Sequence, residues 1–266
     1  MKRLLLPCII FLLSGVAWGA APFVTLPGTD ETVYCTVYPP RIMPGNKAGL
    51  VIHLYGHGGS NVTFNIGRTP FDTLRQRITE RGYWLVIPDL GPRHWMNNAA
   101  VARLDAVIAE WIEHEHVDPA HVHLIGSSMG AYSSLLYVMR RPGKVRSVAA
   151  IFPVTDQVRF WDEKPSYRQS VGDAHGLPAT NREEALRALS PVYHPDAFRQ
   201  TPLFLLHGAK DNTVVVEHSR RLASELQQRG YPLIYRESPD AAHKDEIVVP
   251  YQEELADFLT KGFLQH

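Results

Sequence analysis

Cysteine is nearly missing from this chain. Two residues, Cys8 and Cys35, stand in a sequence of 266, which excludes a disulfide scaffold. An excess of one charge is missing too. Lys and Arg total 27 against 27 Asp and Glu, so no basic surface points to a nucleic-acid partner. No apolar run approaches the roughly 20 residues that a membrane span takes. Fixed-period repeats and low-complexity segments are also lacking, which excludes a solenoid. What is there is 45% hydrophobic and 20% charged, enough to bury one sizeable core.

The first residues stand apart. Met1-Lys2-Arg3 is a basic head, Leu4 to Leu13 an apolar run, and Ala17-Trp18-Gly19 a small-residue end. That order predicts a secretory signal peptide over 1–19 and a single mature domain over 20–266. A cut after Ala21 would place Pro22 just beyond the bond, so cleavage after Gly19 is preferred. An uncleaved anchor is the competing reading, and the short apolar run disfavours it. Removing Lys2 and Arg3 from 27 basic residues leaves 25 against 27 acids, and Cys35 becomes the sole cysteine. Between Tyr34 and Thr36 in a predicted strand, Cys35 reads as a packed side chain rather than a reactive thiol. The expected destination is a periplasm or the exterior, with no lasting membrane anchor.

From about residue 30 onward, strand and helix patterns alternate. Strands are expected over 32–38, 49–55, 83–87, 122–125, 148–152, 203–206 and 233–236. Helices are expected over 71–81, 99–114, 129–140, 219–229 and 251–263. Val101, Leu104, Val107, Ile108, Trp111 and Ile112, for example, share one helical face. Apolar strands separated by amphipathic helices predict an α/β fold, a mostly parallel central sheet with helices on both faces. Ligands of such sheets bind beyond the carboxyl ends of the strands. One stretch, about 153–201, breaks the rhythm. It carries Trp161, Tyr167 and Tyr193 and one short helix over 182–189 capped by Asn181. A long excursion of this kind predicts a lid insertion before the next strand, with a plain surface decoration as the alternative.

Chemistry concentrates in the loops after strands. Gly126-Ser127-Ser128-Met129-Gly130 follows a strand and opens a helix, which makes Ser128 a candidate nucleophile at a strained corner. Ser127 is the rival, in a register that turns it from the apex. A serine hydroxyl needs a base, and the base an orienting acid. His243, in the loop after the last strand, is the candidate base. Asp211, in the loop after the strand ending at Leu206, is the candidate acid. Asp156 and Asp240 are rival acids. The oxyanion formed on an attacked carbonyl needs two donors. The Met129 and His57 backbone amides are assigned to it. The glycine-rich loop around His57 lacks the spacing of a phosphate cradle. Trp95, Trp161 and Tyr167 are candidate walls of a substrate pocket. His114, His116, His121 and His123 read as a solvated helix end and its sequel rather than a metal cluster, so no metal or cofactor is expected.

Four segments in order carry a resemblance: Tyr55-Gly56-His57-Gly58-Gly59, the Ser128 corner, His207-Gly208-Ala209-Lys210-Asp211, and Ala241-Ala242-His243. Together they resemble the α/β-hydrolase superfamily across nearly the whole mature chain. Within it the sequence is similar to the catalytic domain of prolyl oligopeptidases and to dienelactone-hydrolase-like and feruloyl-esterase-like enzymes. In prolyl oligopeptidases the position matching His57 is a tyrosine whose hydroxyl serves the oxyanion, a role an imidazole N–H can take over. The expected lack of a propeller domain, and Ala-Ala-His without a neighbouring glycine, count against a peptidase. The leading expectation is therefore an exported serine hydrolase that cleaves carboxylic esters. A serine peptidase on short peptides is the first alternative, and a non-catalytic binding protein on the same scaffold the second.

Overall fold

The computed structural model describes residues 23–42, 47–63 and 69–261. The leader expected over 1–19 and the end of the last expected helix lie outside the described residues. Eight strands form one sheet: β1 (Phe23–Thr25), β2 (Thr32–Tyr38), β3 (Ala48–Leu54), β4 (Tyr83–Pro88), β5 (Val117–Ser127), β6 (Ser147–Ile151), β7 (Leu203–Gly208) and β8 (Leu233–Ser238). Their spatial order is β1-β2-β4-β3-β5-β6-β7-β8. β1 and β2 run antiparallel to their neighbours, and every pairing from β4 to β8 is parallel.

The helices are α1 (Asp72–Glu80), α2 (Asn98–His114), α3 (Met129–Arg140), α4 (Gln157–Glu163), α5 (Arg168–His175), α6 (Arg182–Ala188), α7 (Glu217–Gln228) and α8 (Gln252–Lys261). Central strands are apolar along their whole length because helices cover both faces; every residue of β3 and of β7 is buried. Helices bury one stripe instead. On α7, Leu222, Ala223 and Leu226 face the core.

Cys35 is fully buried, and burial together with the Asp89 charge pushes its thiol up to about 12. It is a packing residue, as β2 required. β1 has no counterpart in the expected strands. It is three residues long and pairs only at the sheet edge, where Phe23 packs edge-on to Tyr34. β5 is longer than expected and begins at Val117, before the run of exposed residues Pro119 to His121.

The stretch between β6 and β7 folds into α4, α5 and α6 joined by short 3-10 turns, where the sequence predicted one helix. Asp156 starts α4 by accepting the Arg159 amide at 3.0 Å. Asn181 does stand before α6, but at φ 60° and without a side-chain capping bond.

Candidate active site

The corner at Ser128 is built by contact. Ser128 adopts φ 55° and ψ −119°, a conformation L-residues rarely hold. Its amide donates to the Ile151 carbonyl (3.0 Å), and its own carbonyl accepts the Tyr132 amide (3.0 Å). The glycines on either side are required. A Cβ on Gly126 would lie 2.4 Å from the Gly130 carbonyl carbon, and one on Gly130 only 2.0 Å from the Leu54 carbonyl oxygen. β5, α3 and β3 thus meet without room for a methyl group. Ser127 is buried beneath the corner.

Three side chains from distant segments converge here. Ser128 Oγ lies 3.0 Å from His243 Nε2, and His243 Nδ1 lies 2.6 Å from Asp211 Oδ2. Asp211 is buried, and its other oxygen accepts the amides of Thr213 (2.8 Å) and Val214 (2.9 Å). Burial alone would raise its pKa. Hydrogen bonds from His207 and His243 and the amide of Val214 overcome that, and the carboxyl stays well below the usual carboxylate range. A carboxylate so held keeps the His243 proton on Nδ1 and leaves Nε2 free to accept one from Ser128.

His207 was legible as part of a motif but not as a partner. Its Nε2–H donates to the Val214 carbonyl (2.8 Å) and lies 3.4 Å from Asp211 Oδ2, while Nδ1 accepts from Ser219 Oγ (2.7 Å). Gly208 explains how the acid and histidine loops come together. A Cβ there would sit 2.3 Å from the Ala241 carbonyl oxygen. Ala209 and Lys210 donate across the gap to Ser238 and Ala241.

The rival acids are engaged elsewhere. Asp240 is exposed and pairs with Lys210 at 2.5 Å. Asp156 caps α4, accepts from Tyr193 Oη at 3.2 Å and binds Arg221.

The loop after β3 lies beside the corner: a Cβ on Gly56 would be 3.7 Å from that of Ser128. Tyr55 anchors this loop, donating to Asp89 Oδ1 (3.0 Å) and accepting the Leu90 amide (2.9 Å). Gly58 donates to the Pro92 carbonyl at 2.7 Å. Among the described residues, no hydrogen bond occupies the amides of His57 or Met129. Met129 is the first residue of α3, where the helix N-terminus favours negative charge.

The expected pocket aromatics separate. Trp95 is fully buried, 5.7 Å from Tyr132 and 5.9 Å from Phe160 between ring centroids, so it belongs to the core under the cleft. Tyr167 is half-buried and meets the His57 ring edge-on at 5.0 Å. Trp161 is not part of this cluster; Arg168 and Arg182 lie over its ring at 5.8 and 5.2 Å. The His123 ring is buried, with Nδ1 2.8 Å from Ser147 Oγ.

The sequence profile of the prolyl oligopeptidase family matches residues 89–265. A Schizosaccharomyces pombe protein classed by name among the dipeptidyl aminopeptidases is 24% identical over 226 residues, which cover 78% of this chain and 24% of that protein. A Bacillus subtilis protein, the uncharacterized peptidase YtmA, is 25% identical over 121 residues, 46% of this chain and 47% of its own. Among solved structures, a puromycin-hydrolyzing peptidase of Mycobacterium tuberculosis aligns with a TM-score of 0.74 at 21% identity. The alignment covers 96% of this chain and 42% of that one. The acylaminoacyl peptidase of Pyrococcus horikoshii gives 0.72 at 13%, covering 92% and 42%. The chain therefore spans about a quarter of the fission-yeast relative and two fifths of these solved chains. The structural likeness is one of fold.

Proposed function

This chain belongs to the prolyl oligopeptidase family, and on that premise we propose that it cleaves short peptides through an acyl-enzyme on Ser128. Family membership and the relatives' peptidase names support a serine hydrolase over the non-catalytic reading. The observation that carries the assignment is the in-line contact from Ser128 Oγ through His243 to Asp211, at 3.0 and 2.6 Å.

In the proposed cycle Ser128 Oγ attacks the scissile carbonyl while His243 Nε2 takes its proton. Asp211 stabilises the imidazolium. The amides of His57 and Met129 hold the oxyanion, each such donor contributing about 2.7–4 kcal/mol to the transition state. His243 then gives the proton to the departing amine, and water enters by the same route in reverse to free the acyl group as a carboxylic acid.

The peptide now stands before the ester, reversing the order expected from sequence. Support comes from relatives whose names are those of peptidases and from the family itself. The basic head and apolar run at 1–19 support export of the mature chain. In the same reading the stretch between β6 and β7 is a lid, since Tyr167 brings it against His57.

Paired rates on aminoacyl and dipeptidyl p-nitroanilides and on p-nitrophenyl acyl esters test the substrate class. The expected result is amide turnover that Ser128→Ala abolishes. Turnover of esters with no amide cleaved would restore the ester reading.

A further inference from the structure

The insertion reaches the cleft through one hydroxyl. Ser170, on α5, is buried, and its Oγ has two partners among the described residues: Trp95 Nε1 at 2.8 Å and His57 Nε2 at 2.9 Å. The roles of these three groups follow from their chemistry. An indole N–H only donates, so Ser170 Oγ accepts from Trp95. The serine then has one hydrogen left to give, and His57 Nε2 is the acceptor within reach. If Nε2 carried a proton instead, Ser170 would accept twice and its own buried O–H would be left without an acceptor among the described residues, which is costly. The arrangement that satisfies every group puts the His57 proton on Nδ1. Burial and the nearby Arg93 charge lower the pKa of His57, in keeping with a neutral ring.

We propose that Ser170, delivered by the insertion, is a positioning residue that holds His57 as its Nδ1–H tautomer and so fixes a donor beside the Ser128 corner. The inference rests on the reading of Ser128 as nucleophile with the His57 loop on its oxyanion side. Three features support it. Gly56 places the start of His57 against Ser128. Tyr167 and Trp95 hold the ring from two sides, at 5.0 and 5.8 Å. Nδ1 has no hydrogen-bond partner among the described residues, so it remains available to an arriving acyl group. The insertion thus acts on the chemistry through a proton position as well as by covering the site.

The test has two arms. The first reads the tautomer without substrate, by NMR of protein carrying 15N-labelled histidine, with His57→Ala identifying the signals. The wild type is expected to carry the proton on Nδ1, and Ser170→Ala to move it to Nε2 or spread it over both nitrogens. Ser170→Thr, which keeps the hydroxyl, is expected to restore the wild-type pattern.

The second arm is kinetic, on whichever chromogenic acyl substrate the wild type turns over. Ser170→Ala should lower kcat about tenfold with KM within about twofold, less than the 10²–10³ of a deleted oxyanion donor. In the His57→Ala background it should add nothing to the kcat loss, because the proposed effect on the chemistry runs through that ring, while loss of the Trp95 contact is read separately as stability. A wild-type proton on Nε2, or a Ser170→Ala loss that adds in full to that of His57→Ala, would overturn the proposal. Failure of the peptidase reading shows differently, as a wild type that cleaves no amide while the NMR arm still answers.

Discussion

The ring of Phe152 rests 4.3 Å, centroid to centroid, from the imidazole of His243. Phe152 is buried and holds φ 41°, a strained value for a bulky residue. It directly follows β6 at the same edge as the corner, so its ring is a wall against which His243 turns toward Ser128. Phe152→Ala is expected to cost about 3–5 kcal/mol of stability and to lower kcat more than it changes KM. Urea unfolding and steady-state kinetics read the two effects separately. A stable loss with unchanged kcat would leave Phe152 as packing alone.

Asp211 can be told from its rivals by charge-neutral substitution. Asp211→Asn keeps the shape but lets His243 take the wrong tautomer, with a fall in kcat of about 10⁴. Asp240→Asn removes only an exposed pair with Lys210 and should leave kinetics unchanged. Asp156→Asn keeps a capping oxygen for α4 but loses the charge paired with Arg221, so stability falls while kcat/KM stays within a few-fold. A large kcat effect at Asp156 or Asp240 would move the acid.

Stability should depend on pH through buried histidines rather than the site alone. Burial, aided by neighbouring positive charge, lowers His53, His94 and His123 to about 3. Unfolded, each takes a proton below about 6.5. Between about pH 3 and 6.5 the unfolded chain therefore binds more protons, and stability rises with pH by about 1.4 kcal/mol per pH unit for each group. Urea unfolding across that range is expected to show the slope, and His123→Gln to reduce it by one proton. A flat profile would contradict the assignment.

Gly208 sets the distance between the acid and histidine loops. A methyl group there meets the Ala241 carbonyl at 2.3 Å, so Gly208→Ala must push the His243 loop from Asp211. Displacements near 1 Å at such sites cost about 10² in rate. The expected result is a kcat loss far beyond the loss of thermal stability; equal modest losses would show that the loops adjust without harm.

The Ser128 corner was legible because its determinants are local: an apolar strand, small residues at the turn, then a helix with apolar spacing. Asp211 and His243 were legible because strand ends mark where a parallel sheet places its chemistry. The stretch between β6 and β7 was legible as an excursion, but its internal helices were not. α4 and α5 have seven and eight residues, and Phe160 of α4 and Tyr167, just before α5, pack on Trp95 and His57 rather than on a neighbour close in sequence. Ser170 looks like any helix serine until the fold brings to its hydroxyl a donor 75 residues away and an acceptor 113 residues away. Trp161 drew notice as an aromatic, yet its face is taken by two arginines. A hydrophobic count carries no direction. The triad residues are the same for ester and peptide, so the sequence ranking of ester first leaned on Ala241-Ala242-His243 without a neighbouring glycine.

The most direct measurement of the central claim is mass spectrometry of the folded protein after treatment with a fluorophosphonate, which phosphonylates an activated serine. One adduct is expected, on Ser128, formed rapidly in the wild type and lost in His243→Ala. An adduct on another serine, or none on folded wild type, would contradict it.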